Sequence, residues 1–276
     1  MWFAIIRSIR FSLSRVISSL KNVDSCFVLP ASADSGVSYG SALLHAYEIL
    51  PDKTTQYGNF NAYLGPEYSN SEIISILSEA KVSKFVEYED NDLFEVVSEF
   101  LAQGKIVGWF QGRMEVGARA LGNRSILANP SFPGMKEIIN RDVKRREYFR
   151  PFAPTILEEH AADWFDLSDQ NHTEITHKWM IQAAYAKERT KMKAPSIVHE
   201  DGSVRPQILL KNDNPRYYRL LKSFFKKTQI PLLLNTSFNV RGEPMINKPD
   251  EALRCFFSHG LDILVIQNVV LSKNDF

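Results

Sequence analysis

The sequence predicts a mixed α/β (α+β) fold, because short apolar runs typical of buried strands alternate with amphipathic segments typical of helices. Residues 105–110 and 231–234 are the clearest strand candidates, since both are apolar and short. Residues 92–103 carry apolar side chains at three- and four-residue steps, and Gly104 follows as the expected C-terminal cap. With 44% hydrophobic and 24% charged residues among 276, the chain has the composition of a globular protein with a substantial core.

The other predicted elements follow the same alternation. They are a strand at 26–29, a helix at 37–50, a helix at 71–80, a strand at 82–88, a helix at 249–257 and a closing strand at 262–270. Pro249 at the first turn of its helix, with Asp250 and Glu251 beside it, supports that helix start. Residues 51–70 are rich in Pro, Gly, Tyr and Asn without periodicity, so we expect an extended connector and a domain boundary there.

Residues 1–20 are predicted to form a cationic, apolar helix. Arg7, Arg10 and Arg15 interrupt the apolar residues, which excludes a membrane span, and no small-residue cleavage site of a signal peptide follows. The apolar residues recur at helical spacing, which favours a helix docked on the protein. A membrane-surface or partner-binding helix is the alternative, and membrane contact by residues 1–20 is not our expectation.

Net charge and cysteine content narrow the functional class. A net charge of +1 gives no general attraction to nucleic acid or to an anionic membrane. The two cysteines, Cys26 and Cys255, have no metal-type spacing, which is typical of a reduced cytoplasmic protein. The six histidines lack the spacing of a helical metal pair, so we interpret them as surface or packing residues.

Positive charge is concentrated between residues 104 and 150. This segment holds ten basic residues against four acidic ones, a surplus of six positive charges, and seven of the ten are arginines. A planar guanidinium can bind phosphate or carboxylate oxygens with two parallel hydrogen bonds. Glycines lie among these arginines, where backbone amides can turn towards an anion, although neither a Walker loop nor a dinucleotide fingerprint is present. The segment therefore predicts an anion site, with a solvated face of arginine–carboxylate ion pairs as the alternative.

Two further motifs strengthen the anion-site hypothesis. Lys144, Arg145 and Arg146 lead directly into a proline-bounded apolar strand candidate at 147–154. Residues 235–239 (NTSFN) come directly after the buried strand at 231–234, where α/β proteins commonly hold ligand-binding polar groups. For this second motif, a plain polar turn is the alternative interpretation.

Several stretches together resemble the NodU/CmcH-type family of O-carbamoyltransferases. They are residues 112–127 (GRMEVGARALGNRSIL), 144–154 (KRREYFRPFAP), 205–207 (RPQ), 235–239 and 242–244 (GEP). The resemblance covers the chain from residue 24 to the C terminus. It implies a YrdC-like mixed twisted sheet with flanking helices at 56–276, preceded at 1–55 by a small remnant of the family's actin-like carbamoyl-transfer domain.

The same resemblance implies a reaction. A YrdC-like domain of this family joins the carbamoyl group of carbamoyl phosphate to AMP from ATP, releasing phosphate and pyrophosphate, and the carbamoyl group then passes to a hydroxyl of a small-molecule or sugar acceptor. ATP, with Mg²⁺ accompanying the nucleotide, is the implied cofactor. Such a reaction gathers negative charge and so needs fixed cations aimed at the transferred group. It needs no side-chain nucleophile.

The resemblance also assigns roles to individual residues. Lys144 and Arg146 match the lysine-x-arginine pair of YrdC-like sites, and Ser237 with Asn239 matches the serine-x-asparagine pair. Lys144, Arg146 and Ser237 are accordingly the expected catalytic residues. The expected substrate- and nucleotide-binding residues are Arg113, Arg119, Arg150, Arg205, Asn235 and Asn239.

The family's first domain binds Fe²⁺ through two histidines and an aspartate. Asp34 resembles the aspartate ligand, but Ser35 stands where the family usually has Gly or Ala, and the histidine-bearing segment would lie upstream of Met1. We therefore expect an incomplete metal site and no family iron site in this chain. Val116 and Ala118 also replace the Phe and Pro that the family tends to have beside Arg119.

Two other functional interpretations stay open. The chain could be a nucleotide-binding or accessory module without catalysis, either as a truncated remnant or as one subunit of a split enzyme whose partner chain supplies the missing N-terminal domain. A tRNA-modifying enzyme that makes threonylcarbamoyl adenylate is disfavoured, because the motifs resemble those of the small-molecule carbamoyltransferases. A tRNA-binding protein would also be expected to extend the basic cluster into a broad face, so no nucleic-acid partner is expected. The acceptor is not determined by these residues.

Overall fold

The computed structural model describes residues 28–31, 34–50, 61–167 and 177–273, together with Ile17, Leu20 and Asn22. Apart from Ile17 and Leu20, the helix predicted at 1–20 lies outside this description, as does the first half of the strand predicted at 26–29. Val28 and Leu29, the described half of that strand candidate, belong to no strand.

Helices and strands alternate along the described chain. The helices are α1 (Val37–Ile49), α2 (Asn70–Glu79), α3 (Asp90–Ala102), α4 (Met135–Ile138), α5 (Ala161–Trp164), α6 (Glu188–Lys193), α7 (Pro215–Thr228) and α8 (Pro249–Ser258). The strands are β1 (Val86–Glu87), β2 (Val107–Phe110), β3 (Arg124–Ala128), β4 (Ala153–Leu157), β5 (Phe165–Asp166), β6 (Ala184–Ala186), β7 (Ser203–Val204), β8 (Gln207–Leu209), β9 (Leu232–Ser237), β10 (Ile263–Ile266) and β11 (Val269–Ser272).

Eight of these strands form one mixed sheet in the order β1-β11-β10-β2-β3-β9-β4-β8. The pairs β10–β2 and β4–β8 are parallel, and the other neighbours are antiparallel. Strands β5, β6 and β7 form a small antiparallel sheet of their own. The predicted mixed α/β architecture, a mixed sheet with flanking helices, is confirmed.

The core lies between this sheet and the helices on it. Strands β2 and β3 are buried along their whole length, which explains why their sequences are apolar runs without alternation. Helices α3 and α7 pack against each other, and the hydroxyls of Ser98 and Ser223 meet 3.0 Å apart between them. Asn214 caps α7 by accepting a hydrogen bond from the backbone of Tyr217 at 3.1 Å, and Pro215 occupies the first turn.

Most predicted elements are confirmed, with boundaries that differ by a few residues. Gly104 closes α3 at φ +82°, as its position after an apolar helical pattern predicts. The prediction of one closing strand at 262–270 is wrong, because the chain reverses at Gln267 and Asn268 and forms the antiparallel pair β10–β11. Gln267 adopts φ +50° there, a conformation that glycine or asparagine would ordinarily signal in sequence.

The expected connector at 51–70 is extended in its described part and makes specific contacts. Residues 61–66 run antiparallel to residues 113–116, through Val116 N to Ala62 O at 2.7 Å and Gly65 N to Met114 O at 2.9 Å. Tyr63 also donates its hydroxyl to the carbonyl of Leu121 at 2.8 Å. The connector thereby supports the arginine-rich segment that follows β2.

Among the helices in the described ranges, none combines the length and the apolar character that crossing a bilayer requires.

Gly122 provides a test of how tightly this arginine-rich segment is packed. A Cβ at position 122 would lie 2.1 Å from Cδ1 of Tyr217, and the backbone there has φ +105°. We expect Gly122→Ala to lower the free energy of unfolding by about 3 kcal/mol, since overpacking and a strained backbone act together. Urea denaturation measures the change.

Gly134→Ala is the matched control, because Gly134 also has positive φ, +73°, but nothing lies within 4 Å of the added Cβ. It should cost about 1 kcal/mol, the backbone part alone. Equal losses in the two variants would contradict the close contact with Tyr217.

Candidate active site

The register of the sheet brings the polar motifs singled out in the sequence to one edge. Asn235 on β9 pairs with Leu127 on β3 and with Ala153 on β4. Strands β3 and β4 therefore begin at the same edge of the sheet at which β9 ends. Since β8 runs parallel to β4 and Gln207 pairs with Thr155, Arg205 arrives there as well.

The ammonium of Lys144 is the centre of the best-defined contacts at this edge. Its Nζ donates to the backbone oxygens of Ser237 at 2.5 Å and Asn239 at 2.9 Å, and to Asn239 Oδ1 at 2.9 Å. Ser237 Oγ lies 3.4 Å from the same Nζ and donates to Asn239 Oδ1 at 2.7 Å. The structure thus brings together Lys144, Ser237 and Asn239, three of the predicted site residues.

Burial makes this lysine unusual. Lys144 is only 4% exposed, and burial together with the positive charge of Arg146 lowers the pKa of Lys144 to about 7. The oxygens that surround Nζ are acceptors, and an ammonium ion supplies them with three donors. The ammonium is therefore held rigidly at the ends of β9 and of the turn that precedes β4.

A buried asparagine arranges the turn that carries Lys144. Asn140 lies in the helical segment Ile139–Val143 and accepts from Arg146 Nε at 2.7 Å through Oδ1. Its Nδ2 donates to the carbonyls of Tyr148 and Arg150 at 3.1 and 2.9 Å. Asn140 was not among the predicted site residues, although it stands four residues before Lys144, one helical turn away.

Arg145 forms a sharp turn between Lys144 and Arg146, the two predicted catalytic cations. It adopts φ +45°, a left-handed conformation rare for a non-glycine residue, and such conformations concentrate at functional sites. Arg146, one residue further, is half-buried with its guanidinium 4.9 Å from the Phe152 ring centroid. An open cleft of about 460 Å³ lies beside this turn, lined by Glu137, Arg141, Arg145, Arg146, Glu147 and Tyr148.

The arginine-rich segment between β2 and β3 is shaped by one buried carboxylate. Glu115 Oε1 accepts from the backbone N–H groups of Leu121 at 2.7 Å, Asn123 at 2.7 Å and Arg124 at 3.2 Å. Burial raises the pKa of Glu115, and these backbone hydrogen bonds oppose that rise. Glu115 is one of the four acidic residues of the basic segment, and in the structure it organises the loop by binding backbone N–H groups.

Arg124 is part of this framework and belongs to no anion site. Its side chain is fully buried, with Nη1 donating to the carbonyl of Gln111 at 2.7 Å and Nη2 to that of Pro66 at 3.1 Å. Its guanidinium also stacks 3.6 Å from the centroid of the Phe110 ring. Burial lowers the pKa of Arg124 to about 10, while the nearby Glu115 raises it.

Arg119 and Arg205 are neighbouring cations at the same edge. Arg205 is half-buried, and burial together with the charge of Arg119 lowers the pKa of Arg205 to about 9. Asn235 Nδ2 contacts the carbonyl of Ala120 at 3.2 Å, which places the segment around Arg119 over β9. Positive charge from two arginines at this edge favours the approach of an anion.

Arg113 and Arg150 fit the ion-pair alternative. Arg113 is exposed and lies 3.8 Å from Glu67, with a 3.4 Å contact to the carbonyl of Gly65. Arg150 is exposed and pairs with Glu147 at 2.9 Å. Exposed pairs of this kind contribute about 0–1 kcal/mol and exchange partners readily, so neither arginine is committed to its carboxylate.

Asn235 lies beneath this surface and is 1% exposed. Its Nδ2 donates to Thr155 Oγ1 at 2.9 Å and to Gln207 Oε1 at 3.2 Å, in addition to Ala120. Gln207 in turn donates to the carbonyl of Leu121 at 2.9 Å. In the structure Asn235 therefore links β9, β4 and β8 to the arginine-rich loop, and its Oδ1 accepts no hydrogen bond from the described residues.

Asp34 lies in a short 3₁₀ turn before α1 and is exposed. Within the described ranges, no three His, Cys, Asp or Glu side chains cluster in a way that could hold a metal ion. The chain just before Asp34 nevertheless contacts the site, because a Cβ on Gly117 would lie 2.8 Å from the carbonyl oxygen of Pro30.

Comparison with known proteins gives a consistent family. Residues 98–273 match the family model described as "Carbamoyltransferase C-terminus". The chain is 38% identical to an uncharacterized protein of Synechocystis, 35% to nodulation protein NolO of Bradyrhizobium diazoefficiens and 30% to the 3'-hydroxymethylcephem-O-carbamoyltransferase of Amycolatopsis lactamdurans. These alignments cover 90%, 91% and 90% of this chain but 43%, 45% and 44% of the relatives. The chain thus spans less than half the length of the relatives it matches.

Solved structures give a weaker likeness. Full-length HypF in its phosphate- and nucleotide-bound form superimposes with a TM-score of 0.45 at 20% identity, over 70% of this chain and 22% of HypF. A doubly substituted form of Sua5 from P. abyssi superimposes with a TM-score of 0.45 at 12% identity, over 65% of this chain and 52% of Sua5.

The buried ammonium leads to a prediction for Lys144→Met. Lys144 has a pKa of about 7 in the folded protein and about 10.4 when unfolded, so between these values the unfolded chain binds more protons. Stability should therefore rise with pH across this window, by up to about 1.4 kcal/mol per pH unit. The methionine variant lacks this contribution. The unfolding free energy of wild type minus that of Lys144→Met should therefore increase from about pH 7 to about pH 9.

Urea denaturation at several pH values measures this difference. Lys211→Met, at an exposed lysine, is the control and should differ from wild type by the same amount at every pH. A pH-independent difference for Lys144→Met would show that the ammonium is not desolvated.

Proposed function

This chain belongs to the carbamoyltransferase family, and on that premise we propose that it activates a carbamoyl group by forming carbamoyl adenylate from carbamoyl phosphate and ATP. The observation that carries the proposal is the buried ammonium of Lys144, fixed against Ser237 and Asn239 at the edge of the sheet that Arg205 also reaches. Fixed, desolvated cations are what adenylate formation requires.

Two steps make up the proposed chemistry. Water attacks carbamoyl phosphate to release carbamate and phosphate, and a carbamate oxygen then attacks the α-phosphorus of ATP as the bond to pyrophosphate breaks. The second step brings two anions together, carbamate and ATP, and neither step forms a covalent intermediate on the protein. Catalysis then depends on placing cations around the phosphoryl oxygens, and on excluding bulk water that would hydrolyse the mixed anhydride.

Each predicted residue has a role that its position supports. Lys144 supplies a rigid positive charge, and Ser237, whose Oγ lies 3.4 Å from Nζ, supplies a hydroxyl next to it. Arg146 is half-buried on the cleft described above and could approach phosphoryl oxygens from that side. Arg119 and Arg205 would hold a second anionic group over β9 and β8.

Arg113, Arg150, Asn235 and Asn239 have supporting roles in the proposal. Arg113 and Arg150 are exposed and can leave Glu67 and Glu147 for a stronger anionic partner. Asn239 accepts from both Lys144 and Ser237 and so orients the pair. Asn235 holds the floor of the site beneath the proposed adenylate, through its hydrogen bonds to Ala120, Thr155 and Gln207.

Mg²⁺ would enter with the nucleotide. Magnesium that is bound to ATP phosphates commonly takes only one or two protein carboxylates as ligands. Water molecules fill its remaining octahedral positions. That arrangement needs no preformed cluster of protein ligands. The ion would neutralise charge on the pyrophosphate leaving group.

Transfer of the carbamoyl group to an acceptor hydroxyl is proposed for the complete catalytic unit. Residues 1–55 would belong to the transfer domain and residues 56–276 to the activation domain, and the contact between Pro30 and Gly117 joins the two segments beside the arginine-rich loop. Asp34 lies four residues after Pro30 and would be a metal ligand of the transfer site. That metal site would also need histidine ligands from elsewhere. A separate chain could supply the rest of the transfer domain.

Pyrophosphate release tests the proposal directly. With carbamoyl phosphate, ATP and Mg²⁺, we expect the wild-type chain to release pyrophosphate and Lys144→Ala to be slower by about 10²–10³-fold, because a preorganised charge is lost. A coupled pyrophosphatase assay measures the rate. Lys211→Ala, at an exposed lysine on the turn after β8, should match wild type.

The same assay distinguishes the alternative of a binding module without turnover. The alternative is motivated by the length comparison, in which the relatives are more than twice as long as the matched region. ATP binding by calorimetry without pyrophosphate release in wild type would favour it. Pyrophosphate release that needs threonine would instead point to threonylcarbamoyl adenylate.

A further inference from the structure

His199 lies in a tight turn immediately before the predicted anion-binding Arg205. The turn is closed by His199 N donating to Ser203 O at 2.9 Å and by Gly202 N donating to His199 O at 3.0 Å. Asp201 accepts from the backbone of Ser203 at 2.9 Å and fixes the turn further. The imidazole is therefore carried on a rigid turn that leads through β7 to Arg205, which stands two residues before β8 of the large sheet.

The ring of His199 is oriented through one nitrogen only. Its Nδ1 lies 3.0 Å from Ser203 Oγ, a hydrogen bond that the serine hydroxyl can donate. Nε2 makes no hydrogen bond within the described part of the chain, and the residue is half-buried. A neutral imidazole that accepts at Nδ1 carries its proton at Nε2, so the unbonded nitrogen is a hydrogen-bond donor.

The charges around His199 are mostly positive. Burial lowers the pKa of His199, and Arg205 and Lys136 lower it further, whereas Asp201 raises it. Lys136 approaches from α4, which packs on the 195–197 turn, and Arg119 lies beside Arg205. Among the described residues, His199 therefore shares its surroundings with Lys136, Arg205 and the carboxylate of Asp201, a mainly positive group that favours an anion.

We propose that His199 is a further binding residue of the site, whose Nε2 donates a hydrogen bond to a phosphoryl oxygen held by Arg205 and Arg119. This inference rests on the proposed function for its ligand, the phosphoryl group of carbamoyl phosphate or of ATP. An anion in this position also offsets the positive field on the imidazole and favours its protonated form. Binding is therefore coupled to proton uptake at His199.

Sulfate is the probe, because it is a tetrahedral oxyanion that does not titrate near neutral pH. Ring proton and carbon resonances of the histidines, followed by NMR from about pH 5 to about pH 8, report the pKa of His199. His199→Gln identifies its signals. We expect this pKa to rise when sodium sulfate replaces sodium chloride at equal ionic strength, and the rise to disappear in Arg205→Gln.

Affinity provides the second measurement. His199→Ala should weaken sulfate binding about tenfold, the typical effect of losing one hydrogen bond to a charged group. His199→Gln should bind more tightly than the alanine variant, because its amide keeps a donor near Nε2, but its affinity should no longer fall as pH rises. His160→Gln is the control, since His160 follows β4 at the opposite end of that strand and stacks on Phe225. It should leave both affinity and pH dependence unchanged.

The outcomes separate this inference from the proposed function. The inference is overturned if the pKa of His199 is equal in sulfate and in chloride, or if His199→Ala binds sulfate as tightly as wild type. Either result counts against it even if pyrophosphate is released. A sulfate-dependent rise without pyrophosphate release supports the anion site and counts against the proposed reaction. Parallel titrations with carbamoyl phosphate and with ATP show which of them supplies the phosphoryl group, by which one raises the pKa.

Discussion

The arrangement of the site depends on the register of β9 between β3 and β4. Because Asn235 pairs with Leu127 on one side and Ala153 on the other, the arginine-rich loop that enters β3 and the Lys144 turn that enters β4 end beside each other. Ser237, two residues further along β9, then meets the Lys144 ammonium. A slip of one residue would turn Asn235 and Ser237 to the other face of the sheet and separate all of these contacts.

Buried charges at this edge serve two different purposes. Glu115 and Arg124 bind backbone groups almost entirely, and their desolvation is offset by several short hydrogen bonds to peptide groups. Lys144, Arg146 and Arg205 form the second group, and burial lowers the pKa of each. The first pair stabilises a loop, and the second set provides positive charge in surroundings of low polarity, where it acts strongly on an anion.

The relation of sequence to site differs from residue to residue. The Lys144–Ser237–Asn239 group was predicted through family resemblance, and its members do touch. Arg124 was counted among the cations of the basic segment, yet it is a structural residue, because local sequence does not show which of several arginines turns inward. Asn140 and His199 were not predicted as site residues, since asparagine and histidine are common in turns and on surfaces and neither belongs to a motif that carried the family resemblance. The roles of Arg113, Arg119, Arg150, Arg205 and Asn235 remain predictions whose positions the structure describes.

The sequence by itself determined the class of the fold, most helices and strands, the local surplus of positive charge and the family. These follow from periodicity, composition and motif order, which are properties of neighbouring residues. Tertiary structure alone decided the split of the last strand at Gln267, the packing of residues 61–66 against residues 113–116, and the choice of which charges are buried. Each of these depends on contacts between residues distant in the chain, and the free energy of burying a charge is set by the partners that the fold brings to it.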